Sequence, residues 1–181
     1  MTTVPGSRPH QTREETIAIL KKHDITFDNH VVLLGVRGYY RDSMGVKGAN
    51  DIDMYDDALF VVSPTAYATF NFNTDPAKAG HYLAMLDPGV YDFCKGDHHP
   101  HTPKAYHALR PFPEGIRLPC TRDGVHSTCA LTNIHKGGFN DTFSEGCQTI
   151  YPTQYAEAMP FIYNEMTKHK QTIVKYVLIA N

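Results

Sequence analysis

VVLLGVRGYY, residues 31–40, decides the fold. It is apolar and β-branched, which predicts a buried strand. Working outward, ALFVVS (58–63) and YATFNFNT (67–74) read as strands, the second alternating aromatic with small or polar residues. GHYLAMLDPGVYDFC (80–94) reads as two strands joined by an Asp-Pro-Gly turn. A short strand is expected between His107 and Cys120, and TRDGV (121–125) carries an Asp-Gly hairpin signal. STCALTNIHKGG (127–138) reads as a strand ending at His135, and TIVKYVLIA (172–180) as a closing strand. DSMGVKGANDIDMYDD (42–57) is a long loop. Thr12 to Lys22 reads as a helix, with Thr12 as cap and Glu15 three residues on. Pro152 to Lys168 reads as a second, amphipathic helix that Pro160 kinks or restarts. The expectation is one mainly β (α+β) domain over 1–181, with residues 1–10 as a loose arm.

The formal net charge of −2 gives no reason to expect nucleic acid or an anionic membrane as partner. The N-terminus has no apolar signal region, and no run approaches the roughly 20 apolar residues a membrane helix needs. A chain kept in the cytosol, without membrane insertion, is therefore expected. Cys94, Cys120, Cys129 and Cys147 lack CxxC spacing and read as free thiols, the first three as packing residues.

IHKGGFNDTFSEGCQTI, residues 134–150, sets His135 and Cys147 at the ends of a glycine-lined loop. A free thiol, pKa about 8.5, is mostly protonated at neutral pH, and a histidine within reach can take its proton. Gly137 and Gly138 let backbone pass close to a substrate, and Gly146 allows a tight turn before the thiol. Backbone amides of that turn, through Gln148, can bind an oxyanion, and Ser144 can orient the histidine or touch substrate. The alternative is Cys147 as a small buried hydrophobe.

Other stretches compete. GDHHPH offers His98, His99 and His101 as zinc ligands, or one of these as a contact in the cysteine site. The acidic run at 50–57 lacks the glycine of a calcium loop. Arg37, inside an apolar strand, needs a partner, expected to be Asp56 or Asp57, with a substrate carboxylate as the alternative.

His135-Lys136-Gly137-Gly138 followed by Ser144-Glu145-Gly146-Cys147 resembles the signature of the L,D-transpeptidase catalytic domain family, and LDPGVYDF (86–93) is similar to its turn-plus-strand. Thr149 stands where that family carries arginine, and the pattern looks closer to phage-encoded cell-wall lytic members. The resemblance implies a β-sandwich or sheet with a few flanking helices, no cofactor, and bacterial peptidoglycan as partner. It makes Cys147 the nucleophile, His135 its base and Ser144 a supporting residue. The implied activity is cleavage of a stem-peptide amide by an endolysin-type hydrolase that waits in the host cytoplasm. A transpeptidase, a zinc-dependent amidase or peptidase, and a non-enzymatic wall-binding module are the alternatives.

Overall fold

The computed structural model describes residues 2–25, 29–78 and 83–181. The protein is mainly β with two helices. Helix α1 (Arg13–Lys22) starts on Thr12, whose hydroxyl accepts from the Glu15 N–H while the Glu15 carboxylate accepts from the Thr12 N–H, so the expected capping box forms. Strands β1 (Val32–Arg37), β2 (Asp57–Val62) and β3 (Tyr67–Asn73) form an antiparallel meander. Next come β4 (Met85–Leu86), β5 (Gly89–His98), β6 (Tyr106–Pro111), β7 (Leu118–Arg122), β8 (Val125–Cys129), β9 (Ile134–Lys136) and β10 (Gln148–Ile150). Helix α2 (Pro152–Lys168) and β11 (Ile173–Ala180) complete the chain. Residues 80–82 of the expected 80–94 strand pair lie outside the described residues.

Eight strands close a barrel in the order β1-β11-β5-β6-β9-β10-β3-β2, and β4-β7-β8 form a small side sheet. The expected sandwich is thus a barrel, because β1 pairs with β2 on one side and, in parallel, with β11 on the other. That pairing removes both free edges. All six residues of β1 are buried. Val32, Leu34 and Val36 pack with Leu20 of α1, whereas Leu33 joins Phe70, Phe72, Phe93 and Tyr176 in the main core. Ala158, Met159, Ile162 and Met166 of α2 complete that core. The helix runs unbroken through Pro160, which is exposed, so the expected restart does not occur.

Three further expectations are corrected. The arm is not loose: the Tyr55 N–H donates to the Thr3 carbonyl (3.0 Å), the Thr2 N–H to Phe139 (2.9 Å), and Pro9 is buried. Residues 127–138 are two strands, not one, because Leu131 sits at φ +59, a left-handed conformation that ends a ladder. Cys120 and Cys129 are joined in a disulfide, Cα–Cα 5.9 Å. The hairpin turn at Asp123 (φ +48) and Gly124 (φ +76) folds β8 back on β7 and brings the two thiols together. Replacing both with serine is expected to lower stability by roughly 2–3 kcal/mol, the entropy of a loop this short, read as a lower urea midpoint.

Arg37 is buried, and its partner is Asp75 rather than Asp56 or Asp57 (Nε–Oδ1 3.3 Å). It also donates to Thr74 Oγ1 (2.8 Å) and to the Thr74 (3.0 Å) and Leu86 (2.9 Å) carbonyls, which leaves no route to a substrate carboxylate. Asp57 accepts from the Gly38 N–H (2.6 Å) and from Thr74, so it ties β1 to the end of β3. Burial pushes the pKa of Asp56 up to about 6 and holds that of Asp57 well above the usual carboxylate range.

Candidate active site

β9 and β10 lie side by side in parallel, with Gln148 opposite Ile134 and Thr149 opposite His135. Cys147 immediately precedes β10 and so falls beside Asn133, displaced by one pleat from His135. Residues two apart along a strand share a face. This geometry brings both side chains to one cleft of about 600 Å³, lined also by His98, His99, Tyr106 and Phe143. A second hollow of about 460 Å³ meets it at Cys147, His98, His99 and Glu145, and continues past Arg110 and Arg122.

His135 is 2% exposed. Its Nδ1 lies 2.7 Å from the Lys136 carbonyl and 3.1 Å from the Tyr106 hydroxyl. A carbonyl only accepts, so Nδ1 carries the proton and Nε2 keeps the lone pair. Nε2 is buried and has no hydrogen-bond partner among the described residues. Burial first, and then His98, lower the imidazole's pKa to about 3, so at neutral pH it is an uncharged base.

Cys147 is half-buried, and its thiol donates to the Leu131 carbonyl (3.4 Å), not to His135. The left-handed Leu131 that splits the 127–138 strand is therefore also the residue whose carbonyl holds the thiol. Burial raises the thiol to about 11, against a lowering contribution from the Asn133 backbone. The resting pair is thus neutral thiol and neutral imidazole. Alkylation of Cys147 by iodoacetamide is expected to keep rising through pH 9 toward a midpoint near 11. A midpoint below 7, followed by adduct mass on the Cys147 peptide, would show a preformed thiolate–imidazolium pair instead.

The remaining expected site residues divide. Ser144 does not orient His135: its hydroxyl donates to the Cys147 carbonyl (2.7 Å) and accepts from the Gly146 N–H (3.2 Å), so it braces the turn. Gly146 takes φ +131, and a side chain there would run into the Ala84 carbonyl. Gly137 gives its N–H to Ile150 (2.9 Å), and any side chain would collide with the Tyr55 hydroxyl, which donates to the Gly138 carbonyl (2.8 Å). Both glycines shape the wall behind the site rather than offer donors to a ligand. Gln148 is fully buried: its N–H donates to Asn133, and its side-chain carbonyl accepts from Tyr176 (3.0 Å). The amides on either side of the Cys147 N–H, those of Gly146 and Gln148, are thus both engaged.

His98 and His99 reach the cleft, and Arg37 does not. His101 is exposed in the β5–β6 loop. Among the described residues no group of three or more His, Cys, Asp or Glu side chains converges as a metal site. The His98 ring stacks on His135 with centroids 4.0 Å apart and planes 16° apart. Sequence reasoning missed Tyr106, Asn133 and Leu131. Tyr106 opens β6 directly opposite His98, and only that pairing, invisible in the sequence, brings it to His135.

No family model matches the chain, and no curated protein and no solved structure matches it.

Proposed function

We propose that the protein is a cysteine-dependent enzyme that opens an amide of the peptidoglycan stem peptide through a thioester on Cys147. The observation that carries this reading is the buried, unpartnered Nε2 of His135 on the same cleft as the Cys147 thiol. An orphaned buried nitrogen costs about 1–3 kcal/mol and has a use only when a proton arrives there.

In the first step, rotation of the thiol away from Leu131 brings Sγ toward Nε2. The sulfur attacks the carbonyl carbon, its proton passes to Nε2, and the carbonyl's π electrons move to oxygen. Collapse restores the carbonyl and breaks the C–N bond, and the amine leaves with the proton from His135. Water, deprotonated by the same imidazole, then attacks the thioester carbon, the C–S bond breaks to release the acid, and the imidazole returns its proton to the Cys147 sulfur. The lone pair of Nε2 is held ready because Lys136 and Tyr106 fix the proton on Nδ1.

The two hollows on either side of Cys147 suit a chain that crosses the thiol. Lys78, Arg110, Arg122, Asp141 and Glu145 along them suit a peptide bearing both amine and carboxylate groups. The motif resemblance supplies peptidoglycan as the bearer of such peptides. Work at the wall, outside a reducing interior, is also compatible with the Cys120–Cys129 disulfide. The second hollow equally admits an amine as the group that takes the acyl chain, so transpeptidation is the companion reading.

Mass spectrometry of muropeptides after incubation with the purified protein tests the proposal. Hydrolysis is expected to yield stem peptides that have gained one water. Incorporation of an added D-amino acid would select transfer. Unchanged muropeptides, with no acyl adduct on the Cys147 peptide, would overturn both.

A further inference from the structure

We infer that His98 is a second catalytic imidazole, whose Nε2–H donates to the oxygen that turns negative when Cys147 attacks a carbonyl. The inference rests on the thioester reading above. It begins with a shortage of donors. An oxyanion site ordinarily presents two or more N–H groups. Here the Gly146 amide is spent on Ser144 and the Gln148 amide on Asn133, so the two amides that flank Cys147 in the chain are not free to meet a substrate oxygen.

His98 fills that shortage. It ends β5 opposite Tyr106 and lines both hollows that meet at Cys147. The Asn133 side-chain amide lies 3.2 Å from its Nδ1. As an NH₂ donor, Asn133 leaves the lone pair on Nδ1 and the proton on Nε2. Its ring is clamped against His135, so the donor is held before a substrate arrives. Burial and the neighbouring His99 lower the ring's pKa to about 4, so at neutral pH it donates as a neutral group. A cation there would lie face to face with His135 and weaken it as a base. Neutral imidazole as an electrophile is an established catalytic pattern.

Two readouts separate this role from a purely structural one. Amide cleavage passes through an oxyanion, whereas alkylation of Cys147 by iodoacetamide needs the thiolate but forms no oxyanion. His98→Phe keeps a ring on His135 and removes the N–H. It is expected to lose about 10²–10³-fold in turnover while its alkylation rate stays within about twofold of the parent. His98→Gln, which restores an N–H, is expected to fall between the two. Asn133→Asp accepts rather than donates, moves the proton to Nδ1, and is expected to reproduce the loss. Full turnover in His98→Phe, equal loss of turnover and alkylation, or no recovery in His98→Gln would each overturn the inference. Full turnover in Cys147→Ala would instead remove the thioester reading on which it rests.

Discussion

Cys147→Ala is expected to reduce stem-peptide cleavage by at least about 10⁴-fold while the fold stays intact. The size follows from the step removed. Without sulfur no thioester forms, and only ground-state binding and oxyanion donors remain, which in comparable triads leave a residue of about 10³–10⁴ over water. The side chain removed is small and half-buried, and its hydrogen bond to Leu131 is a weak thiol contact. Thermal unfolding is therefore expected to move little. His135→Ala should match the loss, because nucleophile and base act as one unit, and the double variant should be no worse than either. Additive losses in the double variant would show that the two residues serve separate steps. Comparison of muropeptide release rates for the three proteins decides it.

Arg37→Ala is expected to destabilise the protein by about 3–5 kcal/mol at pH 7, the cost of leaving a buried charge without its partner. Arg37 is the cation in contact with Asp75, in a pocket where Asp56 and Asp57 are also fully buried. The pH dependence carries the sign. A carboxyl whose pKa is raised in the folded state holds more protons there than when unfolded. Its stabilising contribution is complete below its unfolded pKa near 4 and is lost as pH rises through the folded value, about 6 for Asp56. The penalty of removing Arg37 should therefore be larger at pH 8 than at pH 5, where protonation relieves the uncompensated charge. Asp75→Asn in the Arg37→Ala background should return part of the loss. Urea unfolding at the two pH values measures both. An equal penalty at each would mean that the arginine acts through its hydrogen bonds to Thr74 and Leu86 alone.

Local chemistry made much of the molecule readable. The Thr12–Glu15 capping box, the Asp-Gly hairpin and the β-branched runs of β1, β2 and β11 each announce themselves within a few residues. His135 and Cys147 are close in sequence, one on β9 and the other just before the neighbouring β10, so their place on one cleft was also legible. What stayed hidden depends on distant pairing. The disulfide waits on the hairpin fold, the partner of Arg37 lies 38 positions away at Asp75, and His98 reaches the cleft only through the β5–β6 ladder. Ser144 misled for a different reason. Its spacing suits a catalytic hydroxyl and equally suits a turn brace, and only the direction of its bond to the Cys147 carbonyl separates the two.

Closure of the barrel also bears on how the chain is made. β1 lies between β2 and β11, and β11 also supplies the edge partner of β5. On the ribosome, residues 32–37 emerge long before residues 173–180. Until that last ladder leaves the exit tunnel, β1 and β5 each offer an open row of amides and carbonyls to any passing strand. Closure of the barrel thus waits for β11, and folding is expected to be slow for a domain of this size and helped by chaperones that shield nascent β edges.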